Sequence, residues 1–290
     1  MPAVRVVTDS ACDLTDELTS KAQITIVPLT IRFGDEELVD RKELSPEEFW
    51  RRCKGGGALP QTAAPSPGAF QAAFEEAAAD GCDGVLCLTI SSGVSATYQS
   101  ALAGAEAAAG KVPVRVVDTR TLSMGQGLIC LAVADAAAGG ASLYDLSTLA
   151  ESLVGRTRLY GVLDTLDHLQ RGGRIGGLKA LVGSVLSIKP VLEVRDGGVE
   201  EESKQRTRGR ALQYLTDIAK KDMPLQWLAV ADAEASDLDV VLNQLKGIET
   251  EHELFVVPLG PVVGTHAGPG TIGICYILPE GSSASSSSKA

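Results

Sequence analysis

The sequence predicts an α/β protein of two domains. The first is a parallel-sheet α/β/α domain over residues 1–155, and the second is an α/β domain with a mixed, partly antiparallel sheet over 156–280. Three observations carry this expectation. From the N-terminus to about residue 155, short apolar runs alternate with segments of helical spacing, as in βαβ units that build a parallel sheet. Beyond that point Asp196-Gly197-Gly198 lies between two strand-like runs, a hairpin signal that brings antiparallel pairing. With 290 residues, 44% of them hydrophobic, the chain is long enough for two ordinary cores, and at 4% aromatic those cores are aliphatic.

Val4-Arg5-Val6-Val7 predicts the first strand, with Thr8-Asp9-Ser10 at its carboxyl end, where open α/β sheets bind ligands. Asp9 and Ser10 are therefore near a site, or else Ser10 or Asp13 caps the helix expected from Leu14 to Ala22. Ile24 to Val27 is a strand stopped by Pro28, and Gly34-Asp35 turns a hairpin between Leu29–Phe33 and Glu37–Val39. Ser45-Pro46-Glu47-Glu48 is a capping box with proline at the first helical position, and Ser66-Pro67 starts another helix. Between them lie the Gly55-Gly56-Gly57 break and Thr62, held extended between Pro60 and Pro65 with its hydroxyl free. Val85 to Ile90 is apolar without alternation, as in a strand buried on both faces. Ser91-Ser92-Gly93 follows, and Ser95 opens a helix. Such a turn offers backbone N–H groups and hydroxyls to an anion, or Ser95 simply caps its own helix. Val114–Val117 is a strand ending at Asp118, and helices follow from Ser123 to Gly139 and from Ser142 to Val154.

In the second half, Leu159–Leu163 reads as a strand and Asp164–Leu169 as a helical turn. Gln170-Arg171-Gly172-Gly173-Arg174-Ile175-Gly176-Gly177 comes next; its glycines permit close backbone approach and its guanidiniums suit carboxylate or phosphate. Ser187–Val194 and Val199–Ser203 flank the hairpin turn. The basic run Lys204 to Arg210 sits at a helix start, where positive charge opposes the macrodipole, so its arginines serve contact rather than folding or else simply line a solvated helix face. Trp227–Ala231, Glu253–Val257 and Ile272–Leu278 are strands, and Ser236–Lys246 is a helix. His266 falls in a loop of glycines and prolines, with no apolar face to pack into, and is expected to touch a ligand. The tail from Gly281 is serine-rich and expected to be disordered.

A formal charge of −11 makes nucleic acid a poor partner, and no run reaches the length of a membrane span. With no signal-peptide core at the N-terminus, a soluble cytoplasmic protein is expected. The six cysteines form no CxxC pair and the three histidines are scattered, so no metal is expected; Cys87, Cys130 and Cys275 read as small core residues.

VTDSACDLT, the proline-flanked Thr62, ISSGVSATYQSA, RGGRIGG, IKPVLEVRDG with KQRTRGRAL, and GTHAGPGTIGI occur in this order and spacing from Val4 to Leu278. In this the chain resembles the DegV family. The resemblance implies a lipid-binding protein, not an enzyme, that holds one long-chain fatty acid between its domains and uses no cofactor. It also implies a separate kinase subunit that phosphorylates the bound carboxylate to an acyl phosphate for phospholipid synthesis. Carried over by motif, Thr62, Ser95 with Ser92 beside it, and His266 would contact the carboxylate. Arg171 and Arg174 would lie near the phosphoryl-transfer face, and Lys204, Arg206 and Arg208 would dock the kinase. The chain departs from the family's usual TSQPS at Ala63-Ala64 and from its usual SGT at Ala96. The competing expectation is a stand-alone enzyme, a serine hydrolase or phosphotransferase using Ser92 or Ser95 with His266. Neither a Gly-x-Ser-x-Gly elbow at Ser95 nor a Walker-type loop is present.

Overall fold

The structure, a computed structural model, describes residues 4–55, 59–181 and 188–281. The serine-rich tail beyond Gly281, Gly56 and Gly57 of the triple-glycine break, and Ser187 lie outside the described residues.

The first half contains β1 (Val4–Asp9), α1 (Asp16–Lys21), β2 (Thr25–Val27), β3 (Thr30–Phe33), β4 (Glu36–Val39), α2 (Pro46–Lys54), β5 (Gln61–Ala63), α3 (Pro67–Ala79), β6 (Gly84–Thr89), α4 (Thr97–Ala107), β7 (Val114–Asp118), α5 (Ser123–Ala138) and α6 (Leu143–Arg156). Strands β2-β1-β6-β7 form an all-parallel sheet in that order. Every residue of β6 is buried, as its unbroken apolar run requires. The predicted hairpin β3–β4 does not join this sheet. It pairs antiparallel with β5, making a separate three-stranded sheet that puts Thr62 opposite Ile31. Thr62 is thus fixed on a short strand rather than in a loop.

The second half contains β8 (Thr157–Val162), α7 (Asp167–Arg171), β9 (Lys189–Arg195), β10 (Gly198–Gln205), α8 (Arg208–Lys221), β11 (Trp227–Asp232), α9 (Leu238–Gln244), β12 (Phe255–Pro258), α10 (Pro261–Ala267) and β13 (Ile272–Ile277). Its six-stranded sheet has the order β10-β9-β8-β13-β11-β12, antiparallel except for β11 with β12. The mixed sheet and the Asp196-Gly197 hairpin match the expectation. The loop expected around His266 is instead helix α10, with Pro261 at its first position and Gly268, at φ 81°, as its C-cap.

Helix α5 joins the two halves. Its sequence is apolar all round, and twelve of its sixteen residues are buried. It lies against β1 and β6 on one side and β8, β11 and β13 on the other. The largest core cluster accordingly contains Val6 and Leu88 from one sheet and Cys275 and Ile277 from the other. Cys87, Cys130 and Cys275 are buried, as their apolar surroundings predict.

Buried polar groups tie the carboxyl ends of the parallel strands. Asp9 is fully buried; Ala11 N–H donates to its Oδ1, and Ile90 N–H and the Gln126 amide donate to its Oδ2. Ser10 accepts from Leu29 N–H. Neither caps α1, whose first turn is held by Thr15 instead. Asp13 is engaged elsewhere: Ser123 donates to its Oδ2 at 2.5 Å and Gly260 N–H to its Oδ1 at 3.1 Å. It therefore links the segment between β1 and α1 to the start of α5 and the start of α10.

Burial pushes the Asp13 carboxyl up from 3.8 to about 7, and those of Asp9 and Asp40 up to about 6. A carboxyl with a raised folded pKa binds more protons in the native state. Its contribution is complete below the unfolded value and is lost as pH rises through the folded one. Asp13→Asn is expected to flatten the fall in stability between about pH 4 and pH 7, where wild type loses up to about 1.4 kcal/mol per pH unit from this group. Urea melts of both proteins across that range measure it; parallel profiles would contradict the assignment.

Candidate functional site

Between the two large sheets lies a cavity with about 910 Å³ of space not filled by atoms, its open mouth included. One wall is the face of the mixed sheet, where strand alternation turns Leu192 and Val194 of β9, Leu159 and Gly161 of β8, and Gly273 and Cys275 of β13 toward the space. The facing wall comes from Ile90 and Val94 after β6, Leu122 at the start of α5, and Leu29 before β3. Leu259, Val262, Val263 and Ala267 of the α10 region close one side. Most of this lining is aliphatic. Its polar side chains are Thr62, Ser95, Ser123, Arg174, Glu193, His266 and Thr271.

Thr62 and His266 meet at this wall, with Oγ1 3.0 Å from Nε2. They are brought from opposite halves by β5 and α10. Helix α10 is seated by α2: an added Cβ on Gly264 would lie 2.8 Å from the Trp50 ring and 2.9 Å from Phe49. Trp50 Nε1–H also donates to Leu259 O. The His266 ring lies so close to Gly172 that a Cβ there would fall 2.3 Å from Nδ1. Burial, with the nearby charges of Arg174 and His168, lowers the His266 pKa from 6.5 to about 4. The ring is neutral at pH 7. Its Nδ1 is buried without a partner among the described residues. A buried bare acceptor is more readily tolerated than an orphaned N–H, which favours the tautomer with hydrogen on Nε2. In that tautomer His266 donates to Thr62, and the Thr62 hydroxyl proton is left for another acceptor.

On the far side of this pair is a second space, about 760 Å³ with its opening, lined by Gln61, Thr62, His168, Arg171, Arg174 and His266 together with Leu59, Pro60, Gly172 and Thr265. No carboxylate lines it among the described residues. In a chain of net charge −11, this vestibule is cationic. Arg171 is exposed at the end of α7, and Arg174 is held by Val94 O and Gly172 O. His168, one turn before Arg171, completes the wall. In the sequence it counts only as one of three scattered histidines, although a histidine three residues ahead of an arginine on a helix shares its face.

The Ser91–Thr97 turn differs from expectation. Five of its backbone donors are already used: Ser92 N–H goes to Asp118, Gly93 N–H to Ser91 Oγ, Val94 and Ser95 N–H to Ser91 O, and Thr97 N–H to Ser95 Oγ. The N–H groups of Ala96, Tyr98 and Gln99, at the start of α4, are the donors of this turn left without a partner among the described residues. Ser92 is exposed, donates to Asp118 at 2.5 Å, and does not line the cavity. Ser95 does line it, with its hydroxyl 2.8 Å from Thr97 Oγ1. It does not cap α4, which begins two residues later at Thr97 with Ala96 as N-cap. Thr97 can donate to Ser95, freeing the Ser95 proton for a ligand. His266 is hydrogen-bonded to a threonine, so the serine–histidine pair that a hydrolase needs is not assembled among the described residues.

The basic run splits in two. Lys204 lies next to the end of β10 with its ammonium 3.3 Å from Glu201, and Arg206 is exposed. Arg208 is not a free surface cation. It forms a two-pronged pair with Asp237 at 2.7 Å, reaches Asp164 at 2.8 Å and donates to Gly270 O. The acidic partners offset the macrodipole cost at this helix start, so Arg208 serves the fold, contrary to the sequence expectation.

An α/β protein with two large sheets and one small one, an apolar cavity, a neutral hydroxyl–imidazole pair at its wall and a cationic vestibule beyond is the class these features define. The family model described as "uncharacterised protein, DegV family" matches residues 3–278, and the chain belongs to the DegV family. It is 34% identical over 278 residues to a DegV domain-containing protein of Streptomyces coelicolor, covering 93% of this chain and 97% of that one. It is 31% identical to protein DegV of Bacillus subtilis, covering 94% and 98%. Among solved structures it resembles a fatty-acid-binding DegV family protein of Thermus thermophilus, with a TM-score of 0.87, 30% identity and coverage of 95% and 99%. It also resembles a stearic acid-binding protein of Eubacterium ventriosum, with a TM-score of 0.86, 25% identity and coverage of 95% and 98%. No helix among the described residues is long and apolar enough to cross a membrane, and no group of metal-ligating side chains is found there.

Proposed function

We propose that this chain binds one long-chain fatty acid between its first half (1–155) and its second half (156–280), and presents the carboxylate to a partner kinase. The observation that carries the reading is the change of chemistry across the Thr62–His266 pair, from an aliphatic cavity to a cationic vestibule. An acyl chain buried in such a cavity contributes roughly 0.8 kcal/mol per CH₂ before ordering costs. The head group is then held by hydroxyl donors from Thr62 and Ser95, each charge-assisted bond worth about 1.5–3 kcal/mol. A carboxylate placed there faces Arg171, Arg174 and His168, which suit the charge of a phosphoryl group arriving from outside. The sequence contains no Walker-type phosphate-binding loop. Phosphorylation to the acyl phosphate is thus assigned to a separate kinase, docked with help from Lys204 and Arg206 and feeding phospholipid synthesis in the cytoplasm. Arg208 is left out of that surface by its pairing. Fatty-acid-binding relatives support the lipid part of this reading.

The test is to incubate the purified chain with ATP, magnesium and palmitate and to trap acyl phosphate with hydroxylamine. Hydroxamate is expected only when a fatty acid kinase subunit from the same source is added. Hydroxamate formed by the chain alone would overturn the reading in favour of a self-sufficient phosphotransferase.

A further inference from the structure

We infer that two facing glycines, Gly161 of β8 and Gly273 of β13, set the length of acyl chain that the cavity accepts. The inference rests on the lipid reading above and specifies where that ligand is measured. The two residues are direct cross-strand partners in the middle of the six-stranded sheet. Both face the cavity. Glycine in a strand interior weakens the strand and calls for a reason.

The usual reasons fail here. Neither residue has a positive φ, so neither conformation demands glycine. The pairing of β8 with β13 runs in continuous register from Ile272–Val162 to Ile277–Thr157, so there is no bulge. Crowding by the protein does not demand it either. A Cβ on Gly161 would come no nearer than 3.7 Å to Ile272 O and 3.8 Å to Leu163, and one on Gly273 no nearer than 3.7 Å to Tyr160 O. Elsewhere in this chain the glycines at close approaches are unmistakable, as at Gly264 and Gly172, where an added Cβ collides at 2.8 Å and 2.3 Å. What the missing side chains at 161 and 273 leave open is space in the cavity. It is bordered by Leu192, which pairs with Gly161 from the other side, and by Leu159 and Cys275 one step along the same face. The bare backbone at this point is a trough across the sheet wall. An acyl chain can lie in it against peptide groups, and a side chain there would end the channel.

The experiment compares Gly161→Val, Gly273→Val and the double alanine variant with wild type. Thermal melting without ligand is followed by titration with decanoate, laurate, myristate, palmitate and stearate. Because the added methyls fill open space, the alanine variant is expected to melt at or above the wild-type temperature. The preferred acid is expected to move to shorter chains in every variant. Each methylene kept out of the channel loses about fourfold in affinity, so palmitate and stearate fall by about tenfold or more relative to laurate. An unchanged chain-length profile in variants that fold would overturn the inference while leaving the lipid reading intact. A uniform loss across all chain lengths would also overturn it, because that is collapse of the site rather than a new end to it. If wild type itself binds none of the acids, the lipid reading fails and takes this inference with it.

Discussion

Thr62→Ala weakens palmitate binding by roughly 10- to 100-fold and leaves hexadecanol binding nearly unchanged. The loss follows from removing one donor to an ionised carboxylate, about 1.5–3 kcal/mol. The selectivity for acid over alcohol follows from the geometry. His266 is neutral, with its pKa pushed to about 4, and in the Nε2–H tautomer it donates to Thr62. Thr62 is then a pure donor toward the ligand, a role that matters for a carboxylate and little for a hydroxyl. Thr62→Ser should recover most of the affinity, whereas Thr62→Val, similar in shape and without the hydroxyl, should not. His266→Ala should act in the same direction by releasing Thr62 from its orientation. Titration calorimetry with the acid and the alcohol measures all four. Equal losses for acid and alcohol would mean that Thr62 only shapes the cavity.

The largest stability effect is expected at Trp50→Ala, a loss of about 3–5 kcal/mol. Trp50 is 2% exposed and packs edge-on against Phe49 at 4.8 Å between ring centroids. Its indole N–H is the donor to Leu259 O, just before the start of α10. Truncation leaves a cavity, an unpaired buried carbonyl and a helix that has lost its seat at Gly264. Because α10 carries His266, the variant should also bind fatty acid more weakly than its residual folding alone explains. Trp50→Phe keeps most of the packing and loses the hydrogen bond, and should cost less than half as much. Urea unfolding of the three proteins decides it. A loss below about 1 kcal/mol for the alanine variant would contradict the packing account.

Much of the fold was legible because local chemistry agrees with it. Ser45, Ser66 and Ser142 each cap the helix expected after them, and Asp196-Gly197 turns the expected hairpin. The apolar run of β6 is buried throughout. The site was legible in part, through side chains whose surroundings in sequence were odd. Thr62 between prolines and His266 among glycines do meet, although they are 204 positions apart. What escaped reading depends on distant partners. Ser92 looks like Ser95 in sequence, but Asp118 at the end of the neighbouring strand draws it away from the cavity. Arg208 sits in a basic run, and only the fold brings Asp237 and Asp164 to it. The helix around His266 was hidden by its glycines, which local propensity counts against a helix. Here Gly264 is needed for close packing on Trp50.

The most direct test is the mass of the protein as it comes from the cell. Native mass spectrometry of the purified chain, with gas chromatography of the extracted lipid, should find one long-chain fatty acid per chain. Denaturation should release it. A bare chain mass, with no acid recovered and none taken up on incubation with palmitate, would contradict the claim that this cavity holds an acyl chain.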